Sequence, residues 1–550
     1  QLQIFKKRGE NKMKKIQIIL SLSAIVILSV IGCGNVEKSN YNGNSYLEDY
    51  TGNVQVSQYG ITWVFAKEYK TGQFVNGDHW VIPDSNGTVE IIYIDPVSQI
   101  IEENWTGDPG GPNLGKIKRI INGSMVNPIS ANTTVQGYDS YMYKYPNDYE
   151  SDYDETLNVA RPNGSDISRE NPLILKPGSS LVSTISNTIT EMHTLERSKV
   201  SSSKIAAILT VVATAPTEGS FRPPYTGSDK TVRHNMSNIN YNILDTLTRP
   251  TGTYQDNPEP LTIEEGFAAM KEKIKRPWLD NFSHWKGVFS HPTNNMPLYG
   301  REFANTIGDA LLMLNLDFSN EDKRDLFVGI IQIGIDLTGV FDNGGFWEPA
   351  GAIMHGRKLP ILVAGHALGD AHMMNCANWT GNWDEAIGPI TLTKPFMEDT
   401  QYFYVSSAEI NRPAYDLSDP NNENNYAAPF QAGNYDYEHG GYTVADIGLP
   451  EWGISHATNP KYDSKDWDVR YRWLNGRSLV AHALVVRIMN LETAWNHDAF
   501  LDYFDRWWQN DYDPTYSGDN YRYGAGADSK FTVDMWLLYR DSLGPIWSVK

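Results

Sequence analysis

The sequence predicts an α+β multidomain chain: an N-terminal β-sandwich followed by a C-terminal α/α-toroid, an incomplete helical barrel. Three observations predict it. Between residues 51 and 240, short runs of β-branched and aromatic residues are punctuated by Gly, Pro, Asn and Asp clusters. From about residue 260, apolar residues recur at helical spacing. No short, exact repeat runs through that helical half, which argues against a regular solenoid. Many medium-length helices joined by long connectors then read as helix pairs in a ring, with a plain helical bundle as the alternative.

The N-terminal elements come first. Met13 is followed by Lys14 and Lys15, an apolar run from Ile16 to Ile31, and then Gly32-Cys33. A charged start, an apolar stretch and a small residue before a cleavage point make a secretion signal. The run is short for a bilayer span, which needs about 20 residues. The ending Val30-Ile31-Gly32-Cys33 resembles a bacterial lipobox, and the resemblance implies a lipid on Cys33. Residues 1–33 are therefore read as upstream sequence plus signal peptide, and 34–50 as a Ser-, Asn- and Gly-rich tether. Gly34 and Asn35 after the cysteine are similar to sorting signals that favour the outer membrane. Segment 1–32 carries six basic residues and one acidic one, so the chain from Cys33 carries −25 where the whole carries −20.

The β region, 51–240, is expected to place strands at 61–65, 77–82, 89–94 and 205–212, with 138–172 as a long loop. Asn76-Gly77-Asp78 reads as a turn. Phe221-Arg222-Pro223-Pro224-Tyr225 reads as a rigid connector at the domain boundary. In the helical region, 241–550, helices are expected at 264–275, 301–316, 323–341, 358–374, 478–491 and 499–508. Thr262 with Glu265 offers a capping box. His366 and Asp370 lie four apart on one expected helix and would face each other.

Composition limits the function. A net charge of −20 excludes a general nucleic-acid-binding surface. Two cysteines cannot make a disulfide framework or a cysteine-rich zinc module, and Cys376 reads as a small buried thiol. No zinc-protease helix, EF-hand loop, Walker A or dinucleotide fingerprint occurs, so neither metal nor cofactor is expected. Thirteen of the 16 tryptophans follow residue 270, several in connectors, among them Trp347 and Trp452. Connector aromatics suit stacking on sugar rings, so a polysaccharide or oligosaccharide is the expected partner.

Four clusters would carry chemistry. His291–Glu302 runs into a helix start, where backbone N–H groups favour anions, and holds Asn295, Tyr299 and Arg301. The Gly-rich connector 343–358 ends in His355-Gly356-Arg357-Lys358, a cationic end suited to an anionic ligand. The third cluster holds His439, Glu451, Trp452 and His456, and the fourth is Trp495-Asn496-His497-Asp498, with Asp498 as a cap or dipole partner.

A lipobox, a β domain and an aromatic-rich helical domain resemble lipoproteins of bacterial polysaccharide-utilisation systems. The helical part resembles the toroid domains of alginate-lyase and heparinase-like polysaccharide lyases. That resemblance implies β-elimination on a uronate-containing glycan. Asn295, Arg301 or Arg357 would neutralise the carboxylate, and Tyr299 and His355 would act as base and acid. Arg357, Lys358, Trp347, Trp452, Glu451, His456 and His439 would bind substrate. Those lyases commonly place the toroid first. The β-first order here resembles inverting glycoside hydrolases instead, with Glu348, Glu451, Asp370 and Glu302 as candidate carboxyls. A non-catalytic surface glycan-binding lipoprotein is the third possibility.

Overall fold

Apolar residues at every second position build the inner face of the first sheet. The computed structural model describes residues 54–105, 115–129, 135–140, 153–160, 166–194, 201–256, 258–281, 287, 290–297, 300–347, 353–383, 393–407, 443–452, 475–509 and 526–548. In strand β2 (Ile61–Phe65) Ile61, Trp63 and Phe65 are buried while Thr62 is partly exposed. It forms a hairpin with β1 (Gln55–Gln58) across Tyr59-Gly60, both at positive φ (52° and 84°), the geometry whose twist matches paired strands. Strands β5 (Val89–Asp95) and β9 (Leu173–Leu175) complete an antiparallel sheet of order β1-β2-β5-β9.

The second sheet runs β3 (Thr71–Gln73), β4 (His79–Val81), β11 (Ser203–Val211), β10 (Ser179–Ser186), β8 (Ser124–Val126) in that order. Its β4–β11 pair is parallel and its other pairs are antiparallel. Trp63, Phe65 and Ile91 of the first sheet share one apolar core with Leu181, Ala207, Leu209 and Val211 of the second. The Trp63 Nε1 donates to Ser183 Oγ at 3.0 Å between them. The intervening residues Val182, Ala206 and Ile208 point the other way and pack with Tyr225 and Leu279. This explains the unbroken apolar run in β11, because a strand covered on both faces has no solvent side to alternate with. A hairpin of β6 (Gln99–Trp105) and β7 (Gly115–Ile121) was not expected from the sequence.

The helical elements are α1 (Ile189–Thr194), α2 (Ile263–Ile274), α3 (Arg301–Leu314), α4 (Asn320–Asp342), α5 (Lys358–Leu368), α6 (Ala371–Met374), α7 (Met397–Gln401), α8 (Val480–Ile488), α9 (Glu492–Trp495), α10 (Asp498–Gln509) and α11 (Lys530–Tyr539). The chain is therefore a mixed α+β protein with several open sheets. The Thr262–Glu265 capping box is present at α2. Every expected apolar position of α3 is fully buried, and so are Leu312, Met313 and nearly all of Thr306 and Asp309, so α3 is a central helix.

The expected helix 358–374 breaks. Gly369 adopts φ 66° and ends α5, and Asp370 caps α6 by accepting from the Met373 N–H at 3.0 Å. Asp370 then pairs with His234 at 3.1 Å rather than with His366. The tryptophans also differ from expectation. Trp347, Trp379 and Trp383 stack on Phe396, Phe341 and Phe346, with centroids 5.3, 4.1 and 4.9 Å apart. Trp347 and Trp452 are at most 1% exposed, and a ring so covered offers no face to a sugar. These connector aromatics fill the core. Cys376 is fully buried as expected, and burial pushes its thiol up to about 12.

Residues Asn53–Lys550 make one compact unit, so the compositional change near residue 240 falls inside it. Arg222 of the Pro-rich connector ties the β4 turn to α4, donating to Asp78 Oδ2 at 2.6 Å and, through both Nη groups, to Asp336 at 2.9 and 2.6 Å. Among the described residues no helix is long and apolar enough to cross a membrane.

Candidate functional site

Two of the sequence-predicted clusters meet. The loop 353–357 packs directly on the start of α3. Gly356 sits at φ 87°, and a Cβ there would lie 2.6 Å from Ala304 Cα and 3.1 Å from His482 Cε1. Only glycine admits this approach and this backbone. The Arg357 guanidinium lies 3.9 Å from the Phe303 ring centroid, on the same helix turn.

His355 is at the centre and fully buried. Its Nε2 lies 3.4 Å from Gln401 Oε1, which also accepts from Trp452 Nε1 at 3.2 Å. An amide oxygen only accepts, and the Ser478 hydroxyl, which donates to Asn475 O at 3.1 Å, offers an acceptor too, so either ring nitrogen of His355 can carry the proton. Nδ1 faces Ser478 Oγ at 3.3 Å. Burial holds the His355 pKa down to about 3; the Gln401 contact opposes this, and the charges of Arg357 and Arg301 reinforce it. His482, on α8, is buried too, with Nε2 2.7 Å from Ala304 O and its pKa lowered to about 4 by burial. Both imidazoles are neutral at pH 7.

Arg357 is committed to structure. Its Nε and Nη2 each donate to the Asp280 carboxylate at 3.0 Å, and its Nη1 donates to His355 O at 2.6 Å. Asp280 also accepts from Trp347 Nε1 at 2.8 Å. Lys358 is likewise tied, paired with Asp399, donating to Trp495 O at 2.6 Å and lying over the Trp495 ring. Neither cation is available to a ligand's carboxylate, which corrects their expected role in binding substrate. Both instead hold the loop in place. Glu451 is fully buried, accepts from the Trp452 N–H at 3.1 Å and meets Arg506 at 3.2 Å.

Asn295 goes elsewhere. Its Nδ2 donates to Pro277 O at 3.1 Å, and it lines a cavity with Lys273 and Tyr254. Among the described residues no hydrogen bond joins it to the His355 cluster. Arg301 is partly exposed at the first turn of α3, behind an uncapped Gly300, and its charge acts on His355. Tyr299, His439, His456, Glu348 and Cys33 lie outside the described residues.

The sequence reading missed Glu398. It sits on α7, fully buried, with Oε1 accepting from the Gly356 N–H at 2.8 Å and Oε2 without a hydrogen-bond partner among the described residues. Burial pushes its carboxyl up to about 7. In sequence, Glu398-Asp399 looks like an ordinary acidic helix start, and nothing local separates it from an exposed pair. Gln401, Ser478 and His482 carried no signal either.

The raised Glu398 pKa predicts a pH effect. Below about pH 4.5, the ordinary value, both folded and unfolded chains hold the proton and its contribution is fully present. As pH rises toward 7 the unfolded chain loses the proton first, so that contribution falls by roughly 3 kcal/mol. Glu398→Gln is expected to abolish it. Urea midpoints of parent and variant across pH 4–8 should diverge as pH rises, and parallel curves would contradict the assignment.

Fold and site together define a mixed α+β protein whose buried His–Arg–Glu cluster is clamped between a glycine loop and a central helix. No family model, curated protein or solved structure matches the chain.

Proposed function

We propose that the protein degrades a polysaccharide as a lyase, cleaving a uronate-containing glycan by β-elimination while lipid-anchored through Cys33 to the bacterial envelope, at the outer membrane. The observation that carries this reading is the direct contact between the Arg301 helix start and the His355 loop. A proton beside a carboxylate becomes removable when that carboxylate is neutralised. Arg301, partly exposed, would do this. His355, held neutral, would take the C5 proton on its unprotonated ring nitrogen. The C5–H electron pair then forms the C4–C5 double bond, the C4–O bond breaks, and Tyr299 protonates the leaving oxygen. His355 is fully buried here, so proton transfer requires the 353–357 loop to open.

The architecture assigned to this activity is a β-sandwich followed by an α/α-toroid. The shared core of the two sheets supports the first part, and the pairing of α3 with α8 and α4 with α5 supports the second.

Purified protein incubated with uronate polymers should generate the ultraviolet absorbance of an unsaturated product. Arg301→Ala and His355→Ala should each lower the rate by about 100-fold or more. A second reading, an inverting glycoside hydrolase, is favoured by one observation: Glu398 is a carboxylic acid held protonated near neutral pH. Reducing ends released without unsaturated product, and lost in Glu398→Gln, would select it over the lyase. Tight binding of intact polymer with neither product would leave only a glycan-binding role.

A further inference from the structure

Helix α3 separates two polar regions. Glu302, Thr306 and Asp309 share one face, while Ala304 and Gly308 share another; two residues are about 200° of rotation on a helix of 3.6 residues per turn. The His355 loop packs on Ala304. On the opposite face Lys273 Nζ donates to Thr306 Oγ1 at 3.2 Å. A cavity of about 400 Å³ opens there, between α2 and segment 294–297. We propose that this cavity is a binding site for a small oxyanion-bearing molecule, a carboxylate or phosphate on a polar, sugar-sized body, held by Lys273 and Arg276.

Charge is the first argument. Three charged side chains line the cavity: Glu272, Lys273 and Arg276. Glu272 is already engaged by Lys275 at 2.5 Å. Among the described residues, neither Lys273 nor Arg276 has a carboxylate in ion-pair contact. Lys273 feels Glu302 and Asp309 only at longer range. Two cations that face one cavity without an ion-pair contact among the described residues stand out in a chain of net charge −20, where acids are in excess. Cations drawn out of bulk water without a partner are costly, and an anionic ligand would offset that cost.

Geometry is the second. Arg276 lies over the Tyr59 ring, 4.7 Å from its centroid, which orients the planar guanidinium and leaves its N–H edge for a ligand. Tyr254 donates to Asp309 at 3.1 Å, fixing its ring as a wall. That ring lies so close to α2 that a Cβ on Gly266 would come within 2.5 Å of Tyr254 Cγ, so glycine makes the seat possible. Asn294 is exposed and offers an amide for hydroxyl groups. The volume falls in the range of about 300–1,000 Å³ typical of small-molecule pockets.

The test is calorimetric titration of the full chain with sodium glucuronate, inorganic phosphate and uncharged glucose. It measures binding without turnover, so it stands or falls separately from polysaccharide cleavage. Glucuronate, phosphate or both should bind, and whichever binds identifies the oxyanion; glucose should not. Arg276→Gln and Lys273→Met should each weaken binding by about tenfold or more, the loss expected for a charge-assisted hydrogen bond. Lys271→Gln, which removes a cation of the same helix that lies over Phe267 and does not line the cavity, should stay within about twofold. Urea midpoints verify that each variant is folded. The proposal is overturned if neither anion binds, if glucose binds as well, or if Arg276→Gln, folded, binds like the parent.

Discussion

Arg222→Ala is expected to cost about 3–5 kcal/mol of stability, the loss typical of breaking a buried ion pair from one side. Arg222 is 1% exposed and joins two carboxylates from different parts of the fold, Asp78 of the β region and Asp336 of α4. Its backbone is fastened as well: the Arg222 N–H donates to Gln332 Oε1 and its carbonyl accepts from Gln332 Nε2, both at 3.1 Å. Truncation leaves two buried carboxylates without their cation. Burial already pushes the Asp336 carboxyl upward even with Arg222 beside it. Whole domains are stable by only about 5–15 kcal/mol, so the variant should lose a large part of that margin. Urea unfolding followed by circular dichroism measures it. A loss below about 1 kcal/mol would mean the pair contributes as little as a surface bridge. Arg222→Lys should recover only part of the loss, because an ammonium cannot reproduce the two-pronged contact with Asp336.

Asp280→Ala is expected to cost a similar amount, about 3–5 kcal/mol, and to disturb the candidate site as well. The carboxylate receives both prongs of Arg357 and the Trp347 indole N–H. Without it, Arg357 is a buried cation that still donates to the carbonyls of Ile353 and His355 and lies over the Phe303 ring. The loop that presents His355 then loses its anchor. Lowered urea midpoint, altered tryptophan fluorescence and lost polymer cleavage should appear together. Asp280→Asn keeps acceptor and shape but removes the charge, and it should fall between parent and alanine variant. An alanine variant of parental stability would show that the Asp280 pair is not what holds Arg357 in place.

Much of the secondary structure was legible because it rests on local physics. The apolar spacing of α3, the Thr262–Glu265 box and the β-branched run of β2 each act within a few residues. Where local signals competed, the reading failed. The expected helix 358–374 runs through Gly369, yet Gly369 takes a left-handed conformation that ends α5 and hands Asp370 to His234. Connector tryptophans looked available to sugars, because nothing in a loop sequence tells whether a phenylalanine from elsewhere will cover the ring. The 301 and 355 segments meet where Gly356 packs on Ala304, while Asn295 bonds to Pro277 O and lines the cavity of Lys273.

By itself the sequence determined the class of many elements, mostly strands in the first half and mostly helices in the second, with a helix cap and several buried faces. Those follow from backbone sterics and from periodicities of two and 3.6 residues, which are properties of neighbouring residues. Only the tertiary structure decided which charges were spent internally and which faced a cavity. Arg357 and Lys358 met buried acids, while Lys273 and Arg276 met none within ion-pair contact among the described residues. It also placed Asn295 and His355 with opposite faces of α3. The physical reason is that ion pairing and burial depend on what chain folding brings from far away, and an Arg in an acidic sequence carries no mark of the Asp that will claim it.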